Sequence, residues 1–190
     1  MVPEARLEAT EAGLVPASAG WFVLNARDAR WIEQPGRGHS LPLTGVDEHE
    51  AETFFAMLGM AIRVIGPGQP STTYHWETEQ EDFLVLSGAA VLIVEGEERR
   101  LEQWDFVHCP PGTRHAFAGA GAGPCVLLCA GSRQFQKDGP WGCYCADETA
   151  ARYNASSPED TQDGALAYAR FPPSRPTRYR AGLLPGEADN

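Results

Sequence analysis

Short apolar runs broken by turn residues predict an all-β fold, a sandwich or barrel of antiparallel strands, for most of this chain. From Trp21 onward the runs are partly β-branched or aromatic, and Gly and Pro separate them at close, even spacing, as in "DFLVLSG", "AAVLIVEGEE" and "PCVLLCAGS". The run "VLIVEGEERRL" has the pattern of a hairpin with Glu95 and Gly96 at its turn. The sequence has no internal repeat and no heptad pattern, which argues against a solenoid or a coiled coil.

Composition and charge exclude several classes of partner. The chain has 190 residues, a formal net charge of −11 and a sequence pI near 4.8. Its basic residues are scattered, so we expect no nucleic-acid partner and no association with anionic membranes. No apolar stretch approaches the ~20 residues that span a bilayer, and the polar, acidic opening "MVPEARLEATEAG" lacks the pattern of a signal peptide. A cytoplasmic protein is therefore expected, with its five cysteines as reduced thiols.

Changes in composition and in the pattern of apolar runs predict three regions: a mobile N-terminal arm at residues 1–19, a β-barrel domain at 20–146, and a C-terminal extension at 147–190. Within the extension, "SSPEDTQDGALAYARFPP" predicts a short helix with Ser157 as its N-cap and Pro158 at its first position. A Pro-rich tail follows it. The segment "GAGAGP" at 119–124 predicts a flexible loop between two strands.

The stretch "YHWETEQEDFLVLSG", residues 74–88, crowds a histidine and four acidic side chains against an apolar run. Burying such like charges costs several kcal/mol unless something compensates, so either a bound cation or a solvated acidic turn is indicated. Residues two apart in a strand face the same side, so His75 and Glu77 project together and Glu81 follows after a turn. Further on, "WDFVHCPPGTRHAF" returns the chain into a strand that begins near His115. Two imidazoles and carboxylates converging inside a barrel are typical of a divalent-metal site.

Two motifs give this sequence its resemblance to the cupin superfamily. The first family motif is Gly, a spacer, His-x-His, three or four residues, Glu, six residues and Gly; here it reads Gly68, "QPSTTY", His75-Trp76-Glu77, "TEQ", Glu81, "DFLVLS", Gly88. The second is Gly, five residues, Pro-x-Gly, two residues, His, three residues and Asn; here it reads Trp104, "DFVHC", Pro110-Pro111-Gly112, "TR", His115, "AFA", Gly119. The resemblance implies a double-stranded β-helix, the jelly-roll barrel, here with a short helical C-terminal extension.

The resemblance also implies a metal site, with three departures from the family pattern. It carries over His75, Glu81 and His115 as ligands and puts Glu77 in the fourth ligand position, where the family has a second histidine. Trp104 replaces the opening glycine of the second motif and Gly119 replaces its closing asparagine. Because Trp does not tolerate positive φ as glycine does, the turn at residues 103–105 is predicted to adopt another shape.

Glu77 has three possible roles: a fourth ligand, a base hydrogen-bonded to metal-bound water, or part of an acidic rim. We expect a ligand role, and Glu77 is also the candidate catalytic residue. Glu79 and Asp82 are predicted to be solvated turn charges, and His108 a packed or hydrogen-bonded structural histidine. The side chains expected to pack around the site are Trp76, pointing away from the metal, and Phe83, Val85 and Phe117, lining a mostly apolar cavity.

From the resemblance we expect one divalent metal ion, Zn, Mn, Fe or Ni, because two imidazoles with carboxylates suit such ions better than Cu(I). No other cofactor is expected. The expected function is a metal-dependent enzyme of the dioxygenase or isomerase type, acting on a small organic molecule in the barrel. The alternative is a non-catalytic module that binds a metal or a small ligand. By analogy with the fold, the chain is expected to form a homodimer.

Overall fold

The computed structural model describes residues 1–43, 57–133 and 140–186, and two antiparallel sheets make up most of it. The seven-stranded sheet has the order β10 (Phe106–Cys109), β7 (Glu81–Ser87), β12 (Cys125–Ser132), β5 (Leu58–Ile65), β4 (Gly38–Pro42), β3 (Trp31–Gln34) and β14 (Arg175–Thr177). The five-stranded sheet has the order β13 (Gly142–Tyr144), β6 (His75–Glu77), β11 (His115–Gly119), β8 (Ala90–Val94) and β9 (Glu97–Leu101). The prediction of an all-β fold is confirmed.

The main hydrophobic core lies between these two sheets. Phe83, Val85 and Leu127 contribute to it from the seven-stranded sheet, and Leu92 and Phe117 from the five-stranded sheet. In β5, β7, β12 and β11 the residues that face this core carry odd numbers, because alternate side chains of a strand point to opposite faces. The expectation that Phe83, Val85 and Phe117 pack inside is confirmed. This alternation also decides which polar residues face the interior.

A second cluster covers the outer face of the five-stranded sheet. It contains Tyr74, Ile93 and Ala116, with residues of the C-terminal extension packed over them, and Trp76 lies at its border. Trp76 therefore points away from the interior, as predicted. The short helix α1 (Glu148–Ala151) belongs to this cover and begins after Asp147, whose side chain accepts a hydrogen bond from the Ala150 amide.

The second short helix, α2 (Gly164–Ala167), lies in the predicted segment but begins later than predicted. Its N-cap is Asp163, whose carboxylate accepts a hydrogen bond from the Ala165 amide at 2.8 Å. The prediction of Ser157 as the N-cap is wrong. Ser157 is buried, and its amide donates to the carbonyl of Cys145, so this part of the chain is bonded to the neighbouring loop instead of opening a helix.

Both ends of the described chain form backbone hydrogen bonds with the rest of the fold. Residues 1–19, predicted as a mobile arm, contain the hairpin of β1 (Leu7–Thr10) and β2 (Gly13–Pro16), and the Leu14 amide donates to the backbone carbonyl of Asp28 at 2.8 Å. At the other end, β14 pairs with β3 and extends the larger sheet. The boundaries proposed for the three regions stay a prediction.

The turn at residues 103–105 keeps the left-handed conformation that the family glycine would adopt, so the prediction of another shape is wrong. Trp104 has φ 76° and is 67% exposed. Its amide donates to Val85 at 2.8 Å, and the Asp105 carboxylate accepts from the Glu102 amide at 2.7 Å. These bonds hold the backbone in a region that costs a non-glycine residue about 1–2 kcal/mol.

Two turn predictions and the cysteine prediction agree with the structure. Glu95 and Gly96 both have positive φ at the turn between β8 and β9, as a two-residue hairpin requires. The loop after Gly119 connects β11 to β12. All five cysteines are free thiols. Among the helices of the described residues, none has the length and apolar character needed to cross a membrane.

Candidate metal centre

Two histidines from neighbouring strands form the base of the candidate site. His75 opens β6 and His115 opens β11, and the two residues are direct partners in the antiparallel register. Their ring centroids lie 4.8 Å apart. Both residues are buried, and both occupy interior-facing positions of the five-stranded sheet. Because β6 and β11 are adjacent, the histidines of the two motifs lie side by side.

The backbone holds the two imidazoles in the same orientation. The Nδ1–H of His75 donates to the carbonyl of Thr73 at 2.8 Å, and the Nδ1–H of His115 donates to that of Thr113 at 3.0 Å. With the proton on Nδ1, the lone pair of each ring is on Nε2. Hydrogen bonds of this kind fix the tautomer and orientation of histidines that bind metals.

Glu81 reaches the pair from the opposite sheet. It opens β7, and its Oε2 lies 3.4 Å from His115 Nε2. One potential ligand atom from each of His75, Glu81 and His115 lies within 4.8 Å of the others. Two atoms bound to one ion at about 2.1 Å lie roughly 3 to 4 Å apart, so the set fits a divalent metal ion after small side-chain adjustments. Two imidazoles and one carboxylate are also the donors that such ions favour.

Glu77 lies beside this group but does not belong to it. Its Oε1 is 3.8 Å from His75 Nε2, and its side chain is 22% exposed. The group whose ligand atoms all lie within 4.8 Å contains His75, Glu81 and His115 without Glu77. The side chain borders the same cavity. Its role as a ligand stays a prediction.

Burial keeps both imidazoles neutral. Removal from water, together with the neighbouring His115, lowers the pKa of His75 to about 3. Burial also lowers the pKa of His115. Because desolvation disfavours the charged form, both rings carry an available lone pair at neutral pH. A neutral imidazole is the form that binds metal ions.

The other charged residues of the opening stretch divide between the two faces of β7. Asp82 points away from Glu81, and its Oδ1 lies 2.7 Å from Nδ1 of His108, which confirms His108 as a hydrogen-bonded structural histidine. Glu79 is only 3% exposed, so the prediction that it is a solvated turn charge is wrong. The carboxylate precedes β7 in a turn that the surrounding chain covers, and the local sequence carries no signal of this cover.

A cavity of about 140 Å³ opens beside the three donor residues. Besides the residues already named, its lining includes Arg63, Arg133 and Cys129, none of which the motif analysis identified. Arg63 did have a signal in the sequence. It stands two residues before the core residue Ile65 in the apolar run "MAIRVIG", so strand alternation turns a charged side chain toward the interior.

Aromatic residues from the C-terminal part of the chain pack against His75. The centroid of Tyr144 is 5.9 Å and that of Trp141 is 6.2 Å from the imidazole. Tyr144 comes from β13, where it is the register partner of His75. Burial, the neighbouring Tyr168 and the charge of Glu77 raise the pKa of the Tyr144 phenol. The sequence offered no motif for these contacts, because β13 pairs with β6 over a long separation along the chain.

Comparison with known proteins connects this arrangement to a family. Residues 61–131 match the Cupin domain family. No curated protein matches the chain.

Three similar solved structures are a candidate sugar phosphate isomerase from Acidithiobacillus ferrooxidans, a cupin 2 domain-containing protein from Halorhodospira halophila and a sugar phosphate isomerase of the cupin superfamily from Silicibacter pomeroyi. The first is 31% identical over 43% of this chain and 53% of its own length, with a TM-score of 0.40. The second is 20% identical over 62% and 75%, with a TM-score of 0.46. The third is 24% identical over 65% and 68%, with a TM-score of 0.44.

The match to the first structure thus spans about half the length of that protein. The family match itself runs from within β5 through most of β12 and includes His75, Glu81 and His115. Residues 61–131, which hold all three donor residues, are thus the part of the chain that matches the cupin family.

Proposed function

We propose that His75, Glu81 and His115 bind one divalent metal ion and that the protein is a metal-dependent enzyme acting on a small organic molecule. The observation that supports the site most strongly is the convergence of two backbone-oriented Nε2 atoms with a carboxylate from the opposite sheet. Zn, Mn, Fe and Ni all accept this donor set. When bound, such an ion supplies Lewis acidity and a bound water of lowered pKa.

Glu77 is the chain's own candidate for proton transfer. It lies at the border of the cavity, 3.8 Å from His75 Nε2, and remains in partial contact with water. A carboxylate in this position can take a proton from a substrate and return it at a neighbouring atom, while Phe83 and Phe117 limit the access of water. Isomerisation needs such a group. Oxygenation does not, so Glu77 favours the isomerase type over the dioxygenase type.

The alternative is a non-catalytic module that binds a metal or a small ligand. A module that binds a metal alone predicts a filled interior, and the cavity beside the donor residues argues against that form of the alternative. Turnover distinguishes the two functions. An enzyme converts a bound small molecule at a rate that depends on Glu77, whereas a binding module retains its ligand unchanged.

Metal analysis tests the site. Protein purified without added metal and then loaded is expected to contain about one divalent ion per chain. His75→Ala and His115→Ala are expected to lose it, because each removes one of the three donors. His108→Ala is the matched control and is expected to retain it, since His108 bonds Asp82 on the other face of β7. Loss of metal from the His108 variant alone would contradict the assignment.

Two further expectations from the sequence belong to this proposal. We propose that the chain forms a homodimer and that it resides in the cytoplasm. The molar mass from light scattering during size-exclusion chromatography tests the dimer, and a mass near the 20.6 kDa of one chain would contradict it.

A further inference from the structure

Two arginines, Arg63 and Arg133, line the same cavity as the proposed metal ligands. We infer that Arg63 and Arg133 recognise an anionic group, a carboxylate or a phosphate, and that the substrate is therefore a small organic anion. This inference rests on the proposed function, because it assigns the substrate class of that site.

Arg63 reaches the cavity from the centre of the seven-stranded sheet. It lies on β5 with Ala61 and Ile65 on the same face, and its register partner on β12 is Leu127. Its Nη1 is 3.4 Å from Gln34 Oε1 and 3.5 Å from the Ser71 carbonyl, both long for a hydrogen bond. A guanidinium has five N–H donors, so bonds this weak leave capacity for a stronger acceptor.

Arg133 reaches the cavity from the end of β12. Arg133 is only 6% exposed, although arginine is among the residue types least often buried. Its guanidinium packs directly over Gly59, where a Cβ would collide with it. Gly59 and Gly131 are register partners on β5 and β12, so this part of the sheet carries no side chain on either strand. The missing side chain of Gly59 provides the space that the Arg133 guanidinium occupies.

The charges around the cavity indicate why an anion fits. Among the residues that line it, Glu77 and Glu81 contribute two carboxylates, and Arg63 and Arg133 contribute two guanidinium groups. The histidines are neutral, so the charges of the described lining residues balance, and a bound divalent metal ion would add two positive charges that attract an anion. Guanidinium groups also bind carboxylates and phosphates through paired hydrogen bonds.

The size of the cavity limits this anion to a small molecule. Its volume is about 140 Å³, and an engineered protein cavity of about 150 Å³ holds one benzene molecule. A compact acid such as malonate is therefore a suitable probe. Inorganic phosphate is the second probe, because it distinguishes phosphate recognition from carboxylate recognition. Malonamide has nearly the shape of malonate without its charge and is the neutral control.

The test is calorimetric titration of each probe into the metal-loaded and the metal-free protein. We expect malonate or phosphate to bind the loaded protein and malonamide to bind at least 10-fold more weakly. The anion that binds more tightly shows whether the site recognises a carboxylate or a phosphate. Arg63→Gln and Arg133→Gln are each expected to weaken anion binding at least 10-fold while metal content stays near one ion per chain. Any of three outcomes overturns the inference: malonamide binds as tightly as malonate, both arginine variants bind the anion like the parent, or neither the metal-loaded nor the metal-free protein binds an anion.

A pair of glycine variants tests Arg133 without removing its charge. In Gly59→Ala the new methyl group displaces the guanidinium, so anion binding should fall as it does in Arg133→Gln. Gly131→Ala is the matched control, because the nearest atom to its Cβ is Glu81 Cγ at 3.8 Å, an ordinary contact. It should bind the anion within about twofold of the parent. Equal effects of the two glycine variants would overturn the role of Arg133.

Metal content separates this inference from the proposed function. A parent protein that binds no metal but still binds malonate through Arg63 and Arg133 contradicts the metal site alone. A parent protein that binds metal but does not distinguish malonate from malonamide contradicts the anion site alone. If an Arg→Gln variant does not fold, Arg63→Lys and Arg133→Lys keep the charge, lose the paired donor geometry and should weaken malonate binding.

Discussion

Glu77 is the residue at which this chain departs most clearly from the family motif, and its chemistry can be isolated with one atom's change. Glu77→Gln keeps the size of the side chain and removes its charge and basicity. If Glu77 transfers protons, the variant should retain its metal and lose about 10²–10⁴-fold in rate. If Glu77 rotates to become a fourth ligand, metal affinity should fall instead. Metal titration of the apoprotein and turnover of a small anionic substrate distinguish the two roles.

Glu81→Gln is the control for this comparison, because Glu81 belongs to the donor group whichever role Glu77 has. It should lose metal affinity in either case. A Glu77→Gln variant that binds metal and turns over like the parent would leave Glu77 as a charge at the rim of the cavity.

The buried imidazoles make the stability of the metal-free protein depend on pH. Folding lowers the pKa of His75 from 6.5 to about 3. Between these two pH values the unfolded chain therefore binds a proton at this residue and the folded chain does not. The stability that this neutral ring contributes is full above about pH 6.5 and is lost as pH falls toward 3. His115 shifts in the same direction. Between pH 6.5 and pH 3 we expect His75 to lower the free energy of unfolding in urea by about 1.4 kcal/mol per pH unit.

His75→Gln isolates this contribution, because glutamine does not titrate. Between pH 6 and pH 4 its free energy of unfolding should fall less steeply than that of the parent. The two slopes should differ by about 1.4 kcal/mol per pH unit, the value for one proton. An identical slope in the two proteins would contradict the burial of a neutral His75.

The residues of the candidate site differ in how far local sequence determines them. His75, Glu81 and His115 were predictable, because motif spacing and strand alternation together turn all three toward the interior. Arg63 could have been predicted from alternation alone, as a charged residue at a core-facing position. Arg133 could not, since its place depends on the bare backbone of Gly59 in another strand. The burial of Glu79 depends in the same way on chain that is distant in sequence.

At the scale of single elements, the turn before β10 stores strain that one substitution should release. Trp104 has φ 76° and an exposed side chain, so it bears the cost of a left-handed backbone without evident gain from packing. Glycine avoids most of that cost, about 1–2 kcal/mol, but adds entropy to the unfolded chain worth roughly 0.5–1 kcal/mol. Trp104→Gly should therefore raise the free energy of unfolding by about 0.5–1 kcal/mol, measured in urea.

Trp104→Ala is the matched control for this turn. It removes the indole and keeps the Cβ, so it should gain little or nothing. If alanine stabilised the protein as much as glycine, the exposed side chain would be the cause and the backbone strain would not.

Elements that depend on local chemistry were predictable, and elements that depend on distant pairing were not. The turn at Glu95 and Gly96 follows from the apolar runs on either side and from Gly96, which tolerates positive φ. The start of α2 was misplaced because both Ser157 and Asp163 are good N-caps, and only the bond from the Ser157 amide to Cys145 excludes the first. The pairing of β14 with β3 joins residues too far apart in sequence for any local pattern to indicate.

At the scale of the whole molecule, the candidate site connects the two sheets. His75 and His115 come from the five-stranded sheet and Glu81 from the seven-stranded sheet, while Trp141 and Tyr144 cover His75 from the C-terminal part of the chain. These donors converge only when both sheets are packed together. The unfolded chain therefore has no such site, and an ion bound there stabilises the fold as a unit.

This linkage gives a prediction for thermal unfolding. At a free metal concentration 100 times the Kd, binding to the folded state adds about 2.7 kcal/mol to the free energy of unfolding. For a chain of this length each kcal/mol raises Tm by about 2–4 °C, so Zn²⁺ or Mn²⁺ should raise the parent's Tm by about 5–11 °C over protein kept in EDTA. His108→Ala should show the same rise, because it leaves the three donors intact. His115→Ala should show little or none, and a rise equal to the parent's would mean that the ion binds elsewhere on the molecule.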